Sequence, residues 1–271
     1  EGIRSPILFP IVGKVKNGKY KVYGNVYELP QYGLGRISEF ELANKTTDTV
    51  SFKLRYSDET LKVYTYKFEL TVSYVLTSRS VNVTGDIDNL DDREINFSIG
   101  AHSALRSPIV AGENFSDCYL DFHGEEHCEN TKTDADLLFL HDHEKDLDSD
   151  KMYLSYDIFK DGVHVFYNLK TGSITLRSTK SKKAITLSAP VYPYMEFGQD
   201  PARAQYAWGT KKVDGQDDEK VKFAQLVVRP FLQLTKMTRL VWEAGAYVQT
   251  QKKGDYMNNV NRGQKLMVWT H

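Results

Sequence analysis

The chain has 271 residues, of which 41% are hydrophobic, with 35 basic and 36 acidic side chains and a formal net charge of −1. That balance gives no electrostatic footprint for nucleic acid or for an anionic membrane surface. No run of about 18 apolar residues is present to cross a bilayer as a helix, and the length suffices for one large domain with a sizeable core.

Alternation of apolar and polar side chains dominates from the start, which is the period of half-buried strands. Residues 19–27 read as a hairpin with its turn at Gly24-Asn25. Residues 49–56, 61–74 and 80–86 alternate and are rich in Val, Tyr, Phe and Thr, which suit a pleated surface. A further turn falls at Thr77-Ser78-Arg79. Two acidic stretches, residues 134–150 and 214–219, read as solvated loops. The first holds His141, Asp142, His143 and Glu144, then Asp146, Asp148 and Asp150, without completing a zinc or calcium spacing. The strand rhythm returns at residues 162–167, 173–178, 184–188, 222–233, 238–249 and 265–270. Roughly fifteen short strands at this spacing predict an all-β fold, a large antiparallel sandwich over residues 1–271 as a single domain. No phosphate-cradling loop and no Ser-His-Asp context is visible, so no metal or cofactor is expected.

Compartment is read from three features. The first residue is Glu1, as in a processed chain whose leader has been removed. Sequons at Asn44, Asn82, Asn96 and Asn114 point to the secretory route, so a secreted glycoprotein is expected. Cys118 and Cys128 are the only two cysteines. They flank a stretch that reads as strand, glycine turn and return, so a disulfide across a hairpin is expected, with two buried thiols as the alternative. Closing so short a loop would stabilise by about 2–3 kcal/mol.

Several motifs then fall in order. Residues 4–15, Arg4-Ser-Pro-Ile-Leu-Phe-Pro-Ile-Val-Gly-Lys-Val, are followed by Leu29-Pro-Gln-Tyr-Gly-Leu-Gly-Arg. Leu61-Lys-Val-Tyr-Thr-Tyr-Lys-Phe-Glu-Leu, Phe97-Ser-Ile-Gly-Ala-His-Ser-Ala, residues 154–183 and a stretch ending in Pro193-Tyr-Met-Glu-Phe-Gly come next. Together these resemble the LacX-type branch of the aldose 1-epimerase (galactose mutarotase) family, over roughly residues 3–210. Residues from about 211 to 271 match poorly. The resemblance implies a β-supersandwich with a sugar site on a concave face and exchange of the α and β anomers of a hexose. It also implies that N-terminal strands are missing from this chain. The edges so exposed would be covered by the tail, by a partner chain or by self-assembly.

The implied chemistry needs a carboxylate to take a proton from the anomeric hydroxyl and an imidazole to protonate the ring oxygen. Carried over by motif, His102 keeps the histidine of G-A-H. Tyr32 stands where L-P-Q-H-G has histidine, and a phenol is a poor proton shuttle at neutral pH. Lys14 stands where arginine ends F-P-I-V-G-R, which loses the planar fork. Arg36 is retained, and Asp161 falls at the F-x-x-D aspartate. The glutamate of C-I-E-P-W falls on Gly209. Glu196, and less directly Glu243, are substitute candidates for the base. The expectation is a carbohydrate-binding or structural extracellular module with degraded catalysis, a pseudoenzyme whose ligand is a hexose or glycan. The alternative is an active aldose 1-epimerase that uses His102 and Glu196.

Overall fold

The computed structural model of the protein describes residues 6–124, 129–132, 144–145, 149–159, 163–167, 169–189, 194–199, 224–237, 239–250 and 267–269. Its strands in chain order begin with β1 (Ile7–Leu8), β2 (Lys19–Val22), β3 (Asn25–Glu28), β4 (Glu41–Lys45), β5 (Thr49–Arg55), β6 (Phe68–Leu76) and β7 (Ser80–Asn89). They continue with β8 (Ile95–Ala101), β9 (Ser103–Ser107), β10 (Cys118–Asp121), β11 (Glu129–Lys132), β12 (Glu144–Lys145) and β13 (Lys151–Tyr153). The last are β14 (His164–Tyr167), β15 (Ser173–Ser178), β16 (Lys183–Ser188), β17 (Tyr194–Gln199), β18 (Ala224–Met237), β19 (Arg239–Thr250) and β20 (Met267–Trp269). Helix is confined, among the described residues, to α1 (Asp58–Leu61) and three short 3-10 turns.

Two large sheets result. One runs β1-β8-β18-β17-β14-β11-β12, with β9 also on β18. The other runs β13-β10-β15-β16-β19-β7-β6-β5-β4, with β20 on β19. All of these strand pairings are antiparallel. The expected all-β, antiparallel two-sheet architecture is therefore the observed one.

Alternation places the core. On β6, Phe68, Leu70 and Val72 are buried and belong to the core, while Glu69 faces outward and takes Lys53 at 2.8 Å and Arg55 at 3.2 Å. On β8 the core residues are Ile95, Phe97 and Ile99, so Asn96, Ser98 and Gly100 lie on the opposite face. Phe9 is fully buried at the centre of an aromatic cluster, with ring centroids 4.9 Å from Phe68, 5.7 Å from Phe97 and 5.9 Å from Tyr64. Such pairs contribute about 0.5–1.5 kcal/mol each beyond the area they bury.

Three sequence expectations change. The first hairpin turns at Tyr23-Gly24, one residue earlier than expected, because Val22 pairs with Asn25. Both turn residues are left-handed, at φ 48 and 83, as the twist-matched two-residue turn requires. Residues 61–67 are not strand. Ser57 and Thr60 form a reciprocal capping box that starts α1, and the backbone N–H of Tyr64 then bonds back to the Thr60 carbonyl.

The Cys118–Cys128 hairpin does not form. β10 pairs with β13 and β15 in one sheet, whereas β11, beyond the Gly124 turn, pairs with β12 and β14 in the other. Cys118 is a free, buried thiol, and Cys128 lies outside the described residues. The strands expected in the poorly matched tail are present, and they are central ones. β18 sits between β8 and β17, and β19 between β7 and β16.

Candidate functional site

The face of the eight-stranded sheet turned away from the core carries the site. β8 brings His102 to its C-terminal end, where the His102 backbone N–H donates to the Pro6 carbonyl at 3.0 Å. The segment after β1 is tied alongside. Ser98 N–H donates to the Pro10 carbonyl at 2.8 Å, and Val12 N–H donates to the Ser98 hydroxyl at 3.2 Å. Residues 30–36 then fold onto this segment. Tyr32 N–H reaches the Gly13 carbonyl at 2.7 Å and Gly35 N–H the Phe9 carbonyl at 2.8 Å.

These ties bring four of the sequence-predicted residues to one place. The Tyr32 ring meets the His102 ring edge-on, with centroids 5.5 Å apart and planes at 76°. The Arg36 guanidinium carbon lies 5.5 Å from the centroid of the same Tyr32 ring. Lys14 follows Gly13, whose carbonyl holds the Tyr32 backbone. The phenol thus occupies the neighbourhood of His102 where the family motif has a second imidazole. Tyr32 is held at φ 66, a left-handed conformation uncommon for a bulky residue. The Arg36 Nε is buried and has no hydrogen-bond partner among the described residues.

Glu196 lies on β17, in register with Val165 of β14 and Arg229 of β18. The pairs Gly100 with Phe231 and Ser103 with Val228 bracket His102 and Arg229 at constant register. His102, Arg229 and Glu196 therefore occupy one row of register positions across three strands. With neighbouring strands about 4.8 Å apart, the His102 and Glu196 backbones are about 10 Å apart, and Arg229 stands between them.

Arg229 is the residue that sequence reasoning missed. It lies in the poorly matched tail, and the signal was a lone charge in the strand Leu226-Val-Val-Arg-Pro-Phe. The base position assigned to Gly209 falls outside the described residues, as do Asp161 and the His141–Glu144 stretch. β17 pairs with β14 on one side and with β18 on the other, so the residue in register with Glu196 on the side toward β8 comes from β18. Glu243 is on β19 of the other sheet, in register with Thr84, and does not join this row.

The sequons are scattered. Asn44, Asn96 and Asn114 are exposed, while Asn82 is half-buried on β7, between β6 and β19.

Comparison with known proteins gives the family and the fold. The family model described as aldose 1-epimerase matches residues 3–207. Protein LacX (plasmid) of Lactococcus lactis subsp. lactis is 33% identical over 201 residues, which span 70% of this chain and 67% of that protein. Its chromosomal counterpart from the same organism is 32% identical over 199 residues, with the same shares covered. A galactose mutarotase related enzyme from Lactobacillus acidophilus superimposes with a TM-score of 0.76 at 22% identity, covering 92% of this chain and 84% of that one. A galactose mutarotase-like protein from Lactobacillus casei gives 0.73 at 21% identity, covering 90% and 85%. A family model over residues 3–207 and a one-third identity to LacX, on a fold that brings His102, Tyr32, Arg36 and Lys14 together, make this chain a member of the aldose 1-epimerase family, of the LacX type.

Proposed function

We propose that this protein binds a hexose, or a hexose-containing glycan, over Tyr32, Arg36 and His102, and that it has lost efficient anomer exchange. The observation that carries the reading is Tyr32, whose ring meets His102 edge-on and lies 5.5 Å from the Arg36 guanidinium carbon. Exchange needs a carboxylate and an imidazole converging on one hydroxyl and one ring oxygen, each within about 3 Å. The row holds one carboxylate, Glu196, with a guanidinium-bearing residue between it and His102. Tyr32 supplies a hydrogen bond and a ring face where proton transfer would call for an imidazole. Tyr32 and Lys14 stand at two positions where the family motifs have histidine and arginine, and losing members of a catalytic unit removes most of its rate.

His102 and Glu196 in one row support the second reading, a working epimerase. Anomer exchange of freshly dissolved α-glucose and α-galactose, followed by NMR with and without the protein, separates the two. The expected result is an unchanged equilibration rate, together with saturation transfer from protein to sugar that His102→Ala abolishes. Acceleration that His102→Ala removes would establish the epimerase. Absence of both effects would reject sugar binding at this site.

The secreted, N-glycosylated state is a further part of the proposal, supported by the exposure of Asn44 and Asn114. A mobility shift of the native protein on treatment with an N-glycosidase is expected, and unchanged mobility would reject it.

A further inference from the structure

The hairpin of β2 and β3 leans on the same sheet at the far end of β8 and encloses a cleft of about 320 Å³ lined by Tyr20, Lys21, Val22, Tyr23, Tyr66 and Asn96. Asn96 and His102 are six residues apart on one face of an extended strand, so about 20 Å of chain separates this cleft from the site above.

The wall residues are held by side-chain contacts. Tyr20 donates its hydroxyl proton to the Val63 carbonyl at 2.8 Å and has its ring centroid 5.6 Å from that of Tyr27. Burial pushes the Tyr20 phenol up to about 12, so it stays neutral. Behind Tyr23 and Tyr66 lies Arg93, its guanidinium carbon 5.6 Å from one ring centroid and 5.3 Å from the other. That cation is already engaged, because Asp91 takes it bidentately at 2.7 and 2.9 Å and the Thr65 carbonyl accepts a third bond at 2.8 Å. Asn96 donates to the Tyr66 hydroxyl at 3.3 Å, which leaves its side-chain carbonyl as an acceptor. Lys21 is the single charge in the lining, and it is exposed.

Ring faces, a neutral phenol, one amide and a neutralised guanidinium make a pocket that pairs apolar surface with a few hydrogen-bonding groups. A pyranose has that shape of chemistry, with a face of C–H groups and an edge of hydroxyls. We infer that this cleft is a second saccharide site, for an uncharged pyranose residue of a glycan. It goes beyond the binding proposed at His102 and stands on separate residues. A glycan attached at the Asn96 sequon would fill the cleft, so the test uses protein made in a host without N-glycosylation.

Protein with isotope-labelled tyrosine rings is titrated with maltotetraose, cellotetraose and mannotetraose, each up to about 10 mM, the weak end of specific binding. At least one is expected to shift the Tyr20, Tyr23 and Tyr66 signals. Tyr23→Asn, which suits the left-handed backbone at φ 48, and Asn96→Ala should each weaken that binding about fivefold or more, the scale of one lost aromatic or hydrogen-bond contact. His102→Ala should leave it unchanged. The inference is overturned if none of the three sugars moves the tyrosine signals, or if affinity survives both cleft substitutions. A response of the tyrosines to His102→Ala alone would assign the binding to the His102 site instead.

Discussion

Glu196 stands directly opposite Arg229 in the β17–β18 pairing, with His102 the next residue along the same row. In the proposed reading, Tyr32 takes the place of a second imidazole beside His102. Any exchange above the solvent rate should therefore be a trace, and Glu196→Gln should change it by no more than about twofold. A loss of about a hundredfold, the effect of removing a true general base, would show that Glu196 performs proton abstraction. Anomer exchange by NMR reads both outcomes.

Gly33 holds the Tyr32 loop against β1. Its φ is 68, and an added Cβ would lie 2.4 Å from the Phe9 carbonyl oxygen and 2.7 Å from the Pro10 ring. Gly24 also has a positive φ, 83, but has open space where a Cβ would go. Gly24→Ala should cost about 1 kcal/mol, the conformational penalty alone. Gly33→Ala should cost more than about 2 kcal/mol, because the contact with backbone adds to it. Urea denaturation of both variants checks the order, and equal losses would contradict the packing argument.

Asp91 and Arg93 give a pH-dependent contribution to stability. The Asp91 side chain retains 3% exposure. The Arg93 guanidinium, first, and then the backbone N–H groups of Lys67 and Arg93 hold its carboxyl well below the usual range. A depressed carboxyl stabilises the fold fully above its unfolded value of about 4, and the contribution is lost as pH falls toward the folded value. Asp91→Asn should destabilise the protein by about 2 kcal/mol at neutral pH, the scale of hydrogen bonds to a charged group. It should also flatten the stability profile below about pH 4. An unchanged acid limb would show that other carboxylates set it.

Cys118 is fully buried, and its Sγ lies 3.8 Å from the Asn114 carbonyl. Burial pushes its thiol up, away from the reactive thiolate. A disulfide-exchange reagent should modify this thiol at least about a hundredfold more slowly in the native protein than in denaturant. Intact mass without reductant should show both cysteines reduced. A mass lower by two hydrogens would contradict the free thiol.

Much of the fold was legible because strand alternation is a local property. The period-2 runs at residues 173–178 and 80–86 correspond to β15 and the first part of β7. The motif residues His102, Tyr32, Arg36 and Lys14 were also legible, since the family pattern surrounds each one. Residues 61–67 misled the reading because Ser57 and Thr60 cap a turn of helix there, a local preference that outweighed alternation. The cysteine hairpin misled because spacing says nothing about which sheet the return strand joins.

The sequence by itself determined the class of fold and the family, because each rests on side-chain period or on contiguous motif. Only the tertiary structure decided that Arg229 falls between His102 and Glu196, that the three tyrosines and Asn96 share a cleft, and that Cys118 is separated from the strand following Cys128. Those relations join residues far apart in the chain. They are set by strand register and sheet order, in which a shift of one residue exchanges the two faces of the sheet.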